Sequence, residues 1–301
     1  MNKENIVVVA IDGSDASKVA VRWAANTAMK RDIPLRLAAS YSMPQFLYAE
    51  GMVPQELFDE LQEETMEKIN EAREIAHEVA PDIKIGHTIA EGSPIDMLLE
   101  MSKYVTMIVM GSRGLGGLSG MVMGSVSAAV VSHAHCPVVV VRGDNPVTED
   151  TKYGPVVVGV DGSGVSQKAI EYAFAEASAR ECELIAVHTW MDMQIQASLA
   201  GLSAAQQQWK IVEEEQNMLL GHRLAGYAER YPDVQVTRVV TRDRPVRALV
   251  DAAKGAQLLV VGSHGRGGVK GMLLGSTSRA LLQSAPCPMM VVRPDSDAKA
   301  H

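Results

Sequence analysis

Short apolar runs alternate with longer amphipathic stretches along the whole chain. The first run, IVVVAI at 6–11, is continuous and rich in β-branched residues, which is typical of a strand buried on both faces of a parallel sheet. The stretch at 16–31 repeats apolar residues at helical spacing, and Pro34 separates it from a second apolar run at 35–41. This order predicts a strand, a helix and a second strand, which is the opening of an α/β fold.

The same alternation continues through the first half. A long stretch of mixed polarity at 56–80 predicts a helix that ends before Pro81, and IKIGHTIA at 83–90 predicts a third strand. Ser93 and Pro94 are the residue types of a helix cap and a first helical turn. The remaining elements are predicted, in order, as a fourth strand, a helix and a fifth strand, at 105–111, 125–134 and 137–142.

The second half repeats the first. IVVVAIDGSDAS at 6–17 matches VVVGVDGSGVS at 156–166, so that Asp12 aligns with Asp161. Further along, with a shift of two residues, the same alignment pairs Gly111 with Gly262, Gly124 with Gly275, and Cys136 with Cys287.

The repeat predicts two tandem domains, at 1–146 and 153–301, joined by the Pro-, Gly- and charge-containing segment at 142–155. Each domain is expected to be a doubly wound, five-stranded parallel sheet with its last strand at the edge. Those last strands, 137–142 and 288–293, are strongly apolar, and open apolar edges favour aggregation. We therefore expect them to pair antiparallel within the chain, and we expect two chains to form a homodimer.

Composition narrows the functional classes. The formal net charge of −8 argues against a general affinity for nucleic acid or anionic membrane. The start of the chain lacks the pattern of a signal peptide, and no apolar run approaches the length of a membrane span, so we expect a cytoplasmic protein. The cysteines show no zinc spacing, and the group His133, His135 and Cys136 has no histidines at the matching place in the second half. No metal site is predicted, and Cys136 and Cys287 are expected to be buried packing residues.

The candidate chemistry lies where strands end. Asp12 and Asp161 follow the first strand of each half, and Ser40 and Thr189 end the second. A loop of the pattern G-x2-G-x9-G-S leaves the fourth strand in both halves, GSRGLGGLSGMVMGS at 111–125 and GSHGRGGVKGMLLGS at 262–276. In such sheets ligands bind at the carboxyl ends of the strands, where glycine backbone approaches a ligand closely and a helix N-terminus attracts anions. The loops are predicted to hold phosphate.

The loops are neither Walker P-loops nor dinucleotide fingerprints, because G-x4-G-K-[ST] is absent and the glycines follow the fourth strand, not the first. Structural alternatives stay open at each position. Chain reversal alone is one alternative for the loops, the D-G-S sequences at Asp12 and Asp161 are typical of turns, and Ser125 and Ser276 are good helix N-caps. The duplication of the full spacing favours the phosphate interpretation.

The starts AIDGS and GVDGS, the glycine-loop spacing and the ends CPVVVVR and CPMMVVR resemble the ATP-binding branch of the universal stress protein family, in the tandem form found in actinobacteria. The resemblance implies an adenine-nucleotide α-hydrolase-like fold and one ATP per domain, with or without Mg²⁺. In the first domain the implied ATP-binding residues are Ala10, Ile11, Asp12, Ser40, Met110, Gly111, Arg113, Gly114, Gly124, Ser125 and Val126. In the second they are Gly159, Val160, Asp161, Thr189, Val261, Gly262, His264, Gly265, Gly275, Ser276 and Thr277.

Three functional hypotheses follow. The first is an ATP-binding regulatory protein of the stress response, whose nucleotide state controls a protein partner or growth. The second is a slow ATPase or nucleotidyl-handling enzyme, although no G-x-S-x-G elbow and no recurring base-plus-acid pair of histidines is found, and the first-strand aspartate is the sole candidate base. In the third, ATP is a fixed folding cofactor.

The two sites are expected to be unequal. Between Gly111 and Ser125 the only basic side chain is Arg113, whereas the second loop has more cations, and Arg279 stands in the following helix at the position of Ala128. Cationic side chains offset phosphate charge better than backbone N–H groups alone. The second site is therefore predicted to discriminate more strongly for ATP over AMP, through His264, Arg266, Lys270 and Arg279.

Overall fold

A computed structural model of the chain describes residues 4–43, 55–114, 123–142, 153–190, 205–265 and 273–294. The chain divides into two compact units, residues 1–146 and 147–301. The first unit contains β1 (Glu4–Ala10), α1 (Asp15–Lys30), β2 (Leu35–Tyr41), α2 (Gln55–Val79), β3 (Ile85–Glu91), α3 (Pro94–Met101), β4 (Val105–Gly111), α4 (Ser125–His133) and β5 (Val138–Val141).

The second unit repeats this order. It contains β6 (Val156–Gly159), α5 (Gly164–Ala179), β7 (Leu184–Thr189), α6 (Ala205–Arg230), β8 (Val236–Thr241), α7 (Pro245–Ala252), β9 (Leu258–Gly262), α8 (Ser276–Ser284) and β10 (Met289–Val292). In the described parts of the chain, no helix is both long enough and apolar enough to cross a bilayer.

Each unit is built on a parallel sheet. The strand order is β3-β2-β1-β4-β5 in the first unit and β8-β7-β6-β9-β10 in the second. Every strand pair within a unit is parallel, as in the registers Val8 with Arg36 and Val8 with Ile108 on the two sides of β1. The predicted doubly wound α/β class, with the last strand of each domain at the edge of that domain's sheet, is confirmed.

The central strands are apolar because both of their faces are covered. Val7, Val8 and Val9 of β1 are fully buried, whereas no residue of β3, at an edge of the sheet, is fully buried. That difference explains why IVVVA reads as a continuous apolar run and IGHTIAE does not. Strand β1 nevertheless begins at Glu4, earlier than its apolar run, because its backbone continues to pair with β4 at Val105.

Cys136 and Cys287 are buried, as the sequence predicts, and their thiols pack at the start of the last strand of each unit. Burial raises the pKa of the Cys287 thiol to about 12, because the thiolate would lose its hydration in the protein interior. The thiol of Cys287 is therefore protonated at neutral pH and serves as a small apolar packing group.

Candidate functional site

The carboxyl ends of β1, β2 and β4 surround one cavity in the first unit, with a volume of about 360 Å³. Since β1 lies between β2 and β4, the chain leaves β1 and β4 at the place where the strand order reverses, which is where ligands bind in open α/β sheets. Every residue that the sequence assigned to the first site lines this cavity: Ala10, Ile11, Asp12, Ser40, Met110, Gly111, Arg113, Gly114, Gly124, Ser125 and Val126.

Asp12 organises the turn from β1 into α1. Its Oδ1 accepts hydrogen bonds from the backbone N–H of Ser14 at 3.0 Å and from the Ser14 hydroxyl at 2.6 Å. The Ser14 side chain in turn caps α1 by accepting from the N–H of Ser17 at 3.2 Å. Gly13, between them, has φ of 85°, a conformation that glycine adopts without strain. The turn role that the D-G-S sequence allowed is therefore present.

The second carboxylate oxygen of Asp12 faces the glycine loop. A Cβ atom added at Gly114 would lie less than 3.0 Å from Asp12 Oδ2, closer than real Cβ atoms approach such an atom. A larger residue would displace the Asp12 carboxylate or the loop, so glycine allows the two to lie this close. The Ser14 hydroxyl also lies 3.4 Å from the carbonyl oxygen of Arg113, so the β1 turn and the start of the loop are held side by side.

The far end of the loop returns to β4 and starts α4. The N–H of Gly124 donates to the carbonyl of Ser112 at 2.8 Å, and the hydroxyl of Ser127 donates to the carbonyl of Gly111 at 2.8 Å. Gly124, not Ser125, is the N-cap residue, and Ser125 is the first residue of the helix. The N-cap interpretation of Ser125 is thus wrong, and the same holds for Ser276, because Gly275 is the N-cap of α8.

Without a capping side chain at either glycine, the first N–H groups of these helices point toward the cavity end of the loop. Such groups and the helix dipole favour an anion. Residues 115–122 and 266–272, the middle of each loop, lie outside the described residues, and so do Arg266 and Lys270.

The second unit builds the same arrangement around a cavity of about 710 Å³. Asp161 Oδ1 accepts from the N–H of Ser163 at 2.9 Å and from its hydroxyl at 2.7 Å, and a Cβ at Gly265 would lie less than 3.0 Å from Asp161 Oδ2. All the residues assigned to this site line the cavity: Gly159, Val160, Asp161, Thr189, Val261, Gly262, His264, Gly265, Gly275, Ser276 and Thr277.

Further lining residues come from the segment after the third strand of each unit, which the sequence reasoning missed. In the first cavity they are Pro94, Met97 and Leu98 at the start of α3; in the second they are Asp243, Pro245 and Leu249 around the start of α7. The sequence could have indicated these residues, because the third strand is also parallel and its carboxyl end must lie at the same edge of the sheet. Sequence reasoning used Ser93 and Pro94 only as a helix start.

Sequence reasoning also passed over His188, which is buried on β7. Its Nδ1 lies 2.6 Å from the carbonyl oxygen of Val160, a cavity-lining residue, and its Nε2 lies 3.0 Å from Oε1 of Gln216 on α6. Ala39 stands at the corresponding position of the first unit. His188 therefore fixes the end of β6 in the second unit alone.

The universal stress protein family model matches the chain twice, at residues 4–142 and 152–293. Universal stress protein Rv2005c of Mycobacterium tuberculosis is 42% identical over 294 residues, which cover 97% of this chain and 98% of the relative. Universal stress protein Rv2623 of the same organism is 38% identical over 290 residues, covering 95% and 96%.

The fold has a solved counterpart as well. The crystal structure of a universal stress protein from Archaeoglobus fulgidus superimposes with a TM-score of 0.68 at 21% identity, covering 96% of this chain and 98% of the other. The two family matches span both structural units, and the mycobacterial relatives extend over nearly the whole chain. The chain belongs to the universal stress protein family, with two copies of the family domain in tandem.

Proposed function

We propose that each domain binds one ATP at the carboxyl end of its sheet and that nucleotide occupancy regulates the binding of a protein partner in the stress response. The observation that supports this most directly is the repeated contact of an aspartate carboxylate with a glycine of the loop, Asp12 with Gly114 and Asp161 with Gly265. Backbone without a side chain at that place lets the loop lie directly against the aspartate at the edge of the cavity.

The chemistry of each cavity fits a nucleotide. At one end the loop glycines and a helix N-terminus present backbone N–H groups, which suit phosphate oxygens. At the other end apolar side chains such as Met97 and Leu98, or Pro245 and Leu249, suit a purine ring. Between them lie Ser40 and Asp12 in the first cavity, and Thr189 and Asp161 in the second. If ATP binds with Mg²⁺, the cation would offset phosphate charge, and the carboxylates that adjoin the glycine loops are Asp12 in the first cavity and Asp161 in the second.

A binding role is favoured over catalysis by the state of the aspartates. Oδ1 of Asp12 and of Asp161 is already held by two donors of the following turn, so this oxygen is committed to structure. A slow ATPase would have to use Oδ2 as its base. Turnover of wild-type protein beside Asp161→Ala, both purified to the same specification, separates the two functions, because binding without catalysis predicts equal background rates.

The occupancy experiment is direct. Nucleotide released from denatured, freshly purified protein is identified by mass spectrometry, and ATP is then added back to stripped, folded protein. At 100 times Kd, ATP stabilises a domain by roughly 2.7 kcal/mol, which gives a clear upward shift in melting temperature. Absence of a shift in protein that is still folded would contradict the proposal. The homodimer expected from the sequence stays a prediction, which sedimentation equilibrium tests.

A further inference from the structure

One carboxylate lines the second cavity at a place where the first domain has no side chain. Asp243 lies between β8 and α7, and the aligned residue between β3 and α3 is Gly92. Both segments continue into a proline and then into a leucine that lines its cavity, so the surrounding framework is the same in the two domains. The difference is a side chain added to a shared pocket.

Asp243 lies at the end of the cavity remote from the glycine loop. In the strand order, β8 is separated from β9 by β7 and β6, a distance of roughly 14 Å at a strand spacing of about 4.8 Å. The glycine loop and the N-terminus of α8 follow β9. This inference rests on the proposed function: if phosphates lie against the loop, the base lies between β7 and β8, beside Pro245 and Leu249.

The carboxylate keeps acceptor capacity for a ligand. Its Oδ1 accepts from the N–H of Arg244 at 2.6 Å, and its Oδ2 lies 3.6 Å from Nε of Arg247. A carboxylate has about four lone-pair positions, so these two partners leave about two for other donors. The side chain is 32% exposed and lines the cavity, while that of Arg247 is 75% exposed and therefore screens the charge only weakly.

An ionised carboxylate accepts hydrogen bonds and donates none. At the 6-position adenine carries an amino donor and guanine an oxo acceptor, so a carboxylate that faces this position would meet a second acceptor in guanine, with no proton between them. The donors of guanine lie beside it, at N1 and the 2-amino group. We propose that Asp243 is a specificity-determining residue that makes the second domain select 6-aminopurine over 6-oxopurine nucleotides. The first domain, with Gly92 at this place, discriminates less.

The test isolates the second site in the full chain. Gly114→Leu blocks the first site, and isothermal titration calorimetry then measures ATP and GTP at the second. We expect a preference for ATP of at least tenfold. Asp243→Asn keeps the size of the side chain and its acceptor for the Arg244 N–H, but adds an amide donor that suits the 6-oxo group. The ATP-to-GTP affinity ratio is expected to fall at least tenfold, through weaker ATP binding and stronger GTP binding.

Two controls and a second Asp243 variant accompany this experiment. Arg247→Ala removes the ion pair and leaves the carboxylate, so it should keep the wild-type ratio. A chain carrying Gly265→Leu reports the first site, where the ratio should be smaller than at the second. Asp243→Ser, which is shorter and uncharged, should lower the ratio without favouring GTP.

The outcomes separate the two proposals. An unchanged ratio in both Asp243 variants, or an equal loss of ATP and GTP affinity, would show that Asp243 only supports the start of α7, and would overturn the inference while nucleotide binding stands. If neither nucleotide binds wild-type or Gly114→Leu protein that is folded by circular dichroism, the proposed function fails and this inference fails with it.

Discussion

The two domains share the backbone arrangement of their cavities and differ in some of the side chains that line them. The hydrogen bonds from the serine of the turn to the aspartate agree within 0.1 Å, at 3.0 and 2.6 Å in the first domain and 2.9 and 2.7 Å in the second. By contrast, Arg113 is replaced by His264 and Gly92 by Asp243. The aspartate and the loop glycine that lies against it are identical in the two domains, whereas some of the other residues that border the cavity differ.

The interiors differ as well. In α5 of the second domain, Glu176 and Arg180 form an ion pair that is almost completely buried, whereas Thr27 occupies the place of Glu176 in α1. The buried His188 likewise has Ala39 as its counterpart. Buried charges and imidazoles require specific partners, so the second domain depends on more specific polar contacts than the first. Its stability should therefore be more sensitive to single substitutions than that of the first domain.

The largest effect is expected for the buried ion pair. Glu176→Ala leaves the Arg180 guanidinium in the interior without its carboxylate, which typically costs about 3–5 kcal/mol in the free energy of unfolding. Hydrogen exchange of peptides from each domain in the full chain should show the loss in the second domain alone. Glu171→Ala is the matched control, because its pair with Arg230 is exposed and worth about 0–1 kcal/mol. Equal losses in the two variants would contradict the prediction.

The next effect concerns the glycines of the loops. Gly114→Leu and Gly265→Leu each place a side chain against the facing aspartate, so each should weaken nucleotide binding at its own site at least 100-fold, equivalent to about 2.7 kcal/mol. Titration should show half of the wild-type stoichiometry in either variant and no binding in the double variant. Gly86→Leu is the control, since nothing lies within 4 Å of a Cβ there. Two intact sites in the double variant would contradict the proposal that the glycine loops bind the nucleotide.

A smaller effect is expected for His188. In His188→Leu the carbonyl of Val160 and the amide of Gln216 lose a shared partner, at a cost of about 1–3 kcal/mol for a buried polar group left unsatisfied. Because Val160 lines the second cavity, ATP affinity should fall at the second site and stay constant at the first. His222→Leu, on the exposed face of α6, should change neither property. A loss of ATP affinity confined to the first site would contradict this assignment.

The fold was largely predictable because the parallel strands are buried on both faces. Their apolar runs and the helical spacing between them fix the element order. Because the sequence is duplicated, the order predicted for one half can be checked against the other. Element ends were less accurate: the last strand begins at Val138, not Pro137, because proline has no N–H for the ladder, although its carbonyl still accepts from Ile108 at 3.1 Å. Hydropathy does not register that distinction.

The backbone half of the candidate site was predictable and the side-chain half was not. The glycine spacing and the position of Asp12 after a buried strand indicate a cavity edge without any knowledge of packing. Asp243 and Met97 line the cavities only because β8 and β3 end at that same edge and the chain then bends over the opening. His188 reads in the sequence as an isolated polar residue in a strand; its partner Gln216 is on another element, so only the tertiary structure reveals the link.

The smallest effect concerns loop charge. The second site is predicted to have the larger ratio of ATP to AMP affinity, since more cations follow its first glycines, and ATP carries more phosphate charge than AMP for them to offset. Of these side chains, His264 and Arg279 are among the described residues, and Arg279 lies exposed on α8 at the position that corresponds to Ala128 of the first domain. Solvent screens an exposed cation, so its share is about 0–1 kcal/mol, at most roughly fivefold in affinity.

In a chain that carries Gly114→Leu, Arg279→Ala should therefore lower the ratio of ATP to AMP affinity at the second site by a few-fold. In a chain that carries Gly265→Leu, Ala128→Arg should raise the same ratio at the first site. The effect of Arg279→Ala on this ratio should be smaller at high salt, because exposed charges are screened within a Debye length of about 10 Å at 0.1 M. Titrations at two ionic strengths measure both trends. Equal ratios at the two sites, or a larger ratio at the first, would mean that the shared backbone N–H groups, and not the side chains that distinguish the domains, set the preference for the longer phosphate chain.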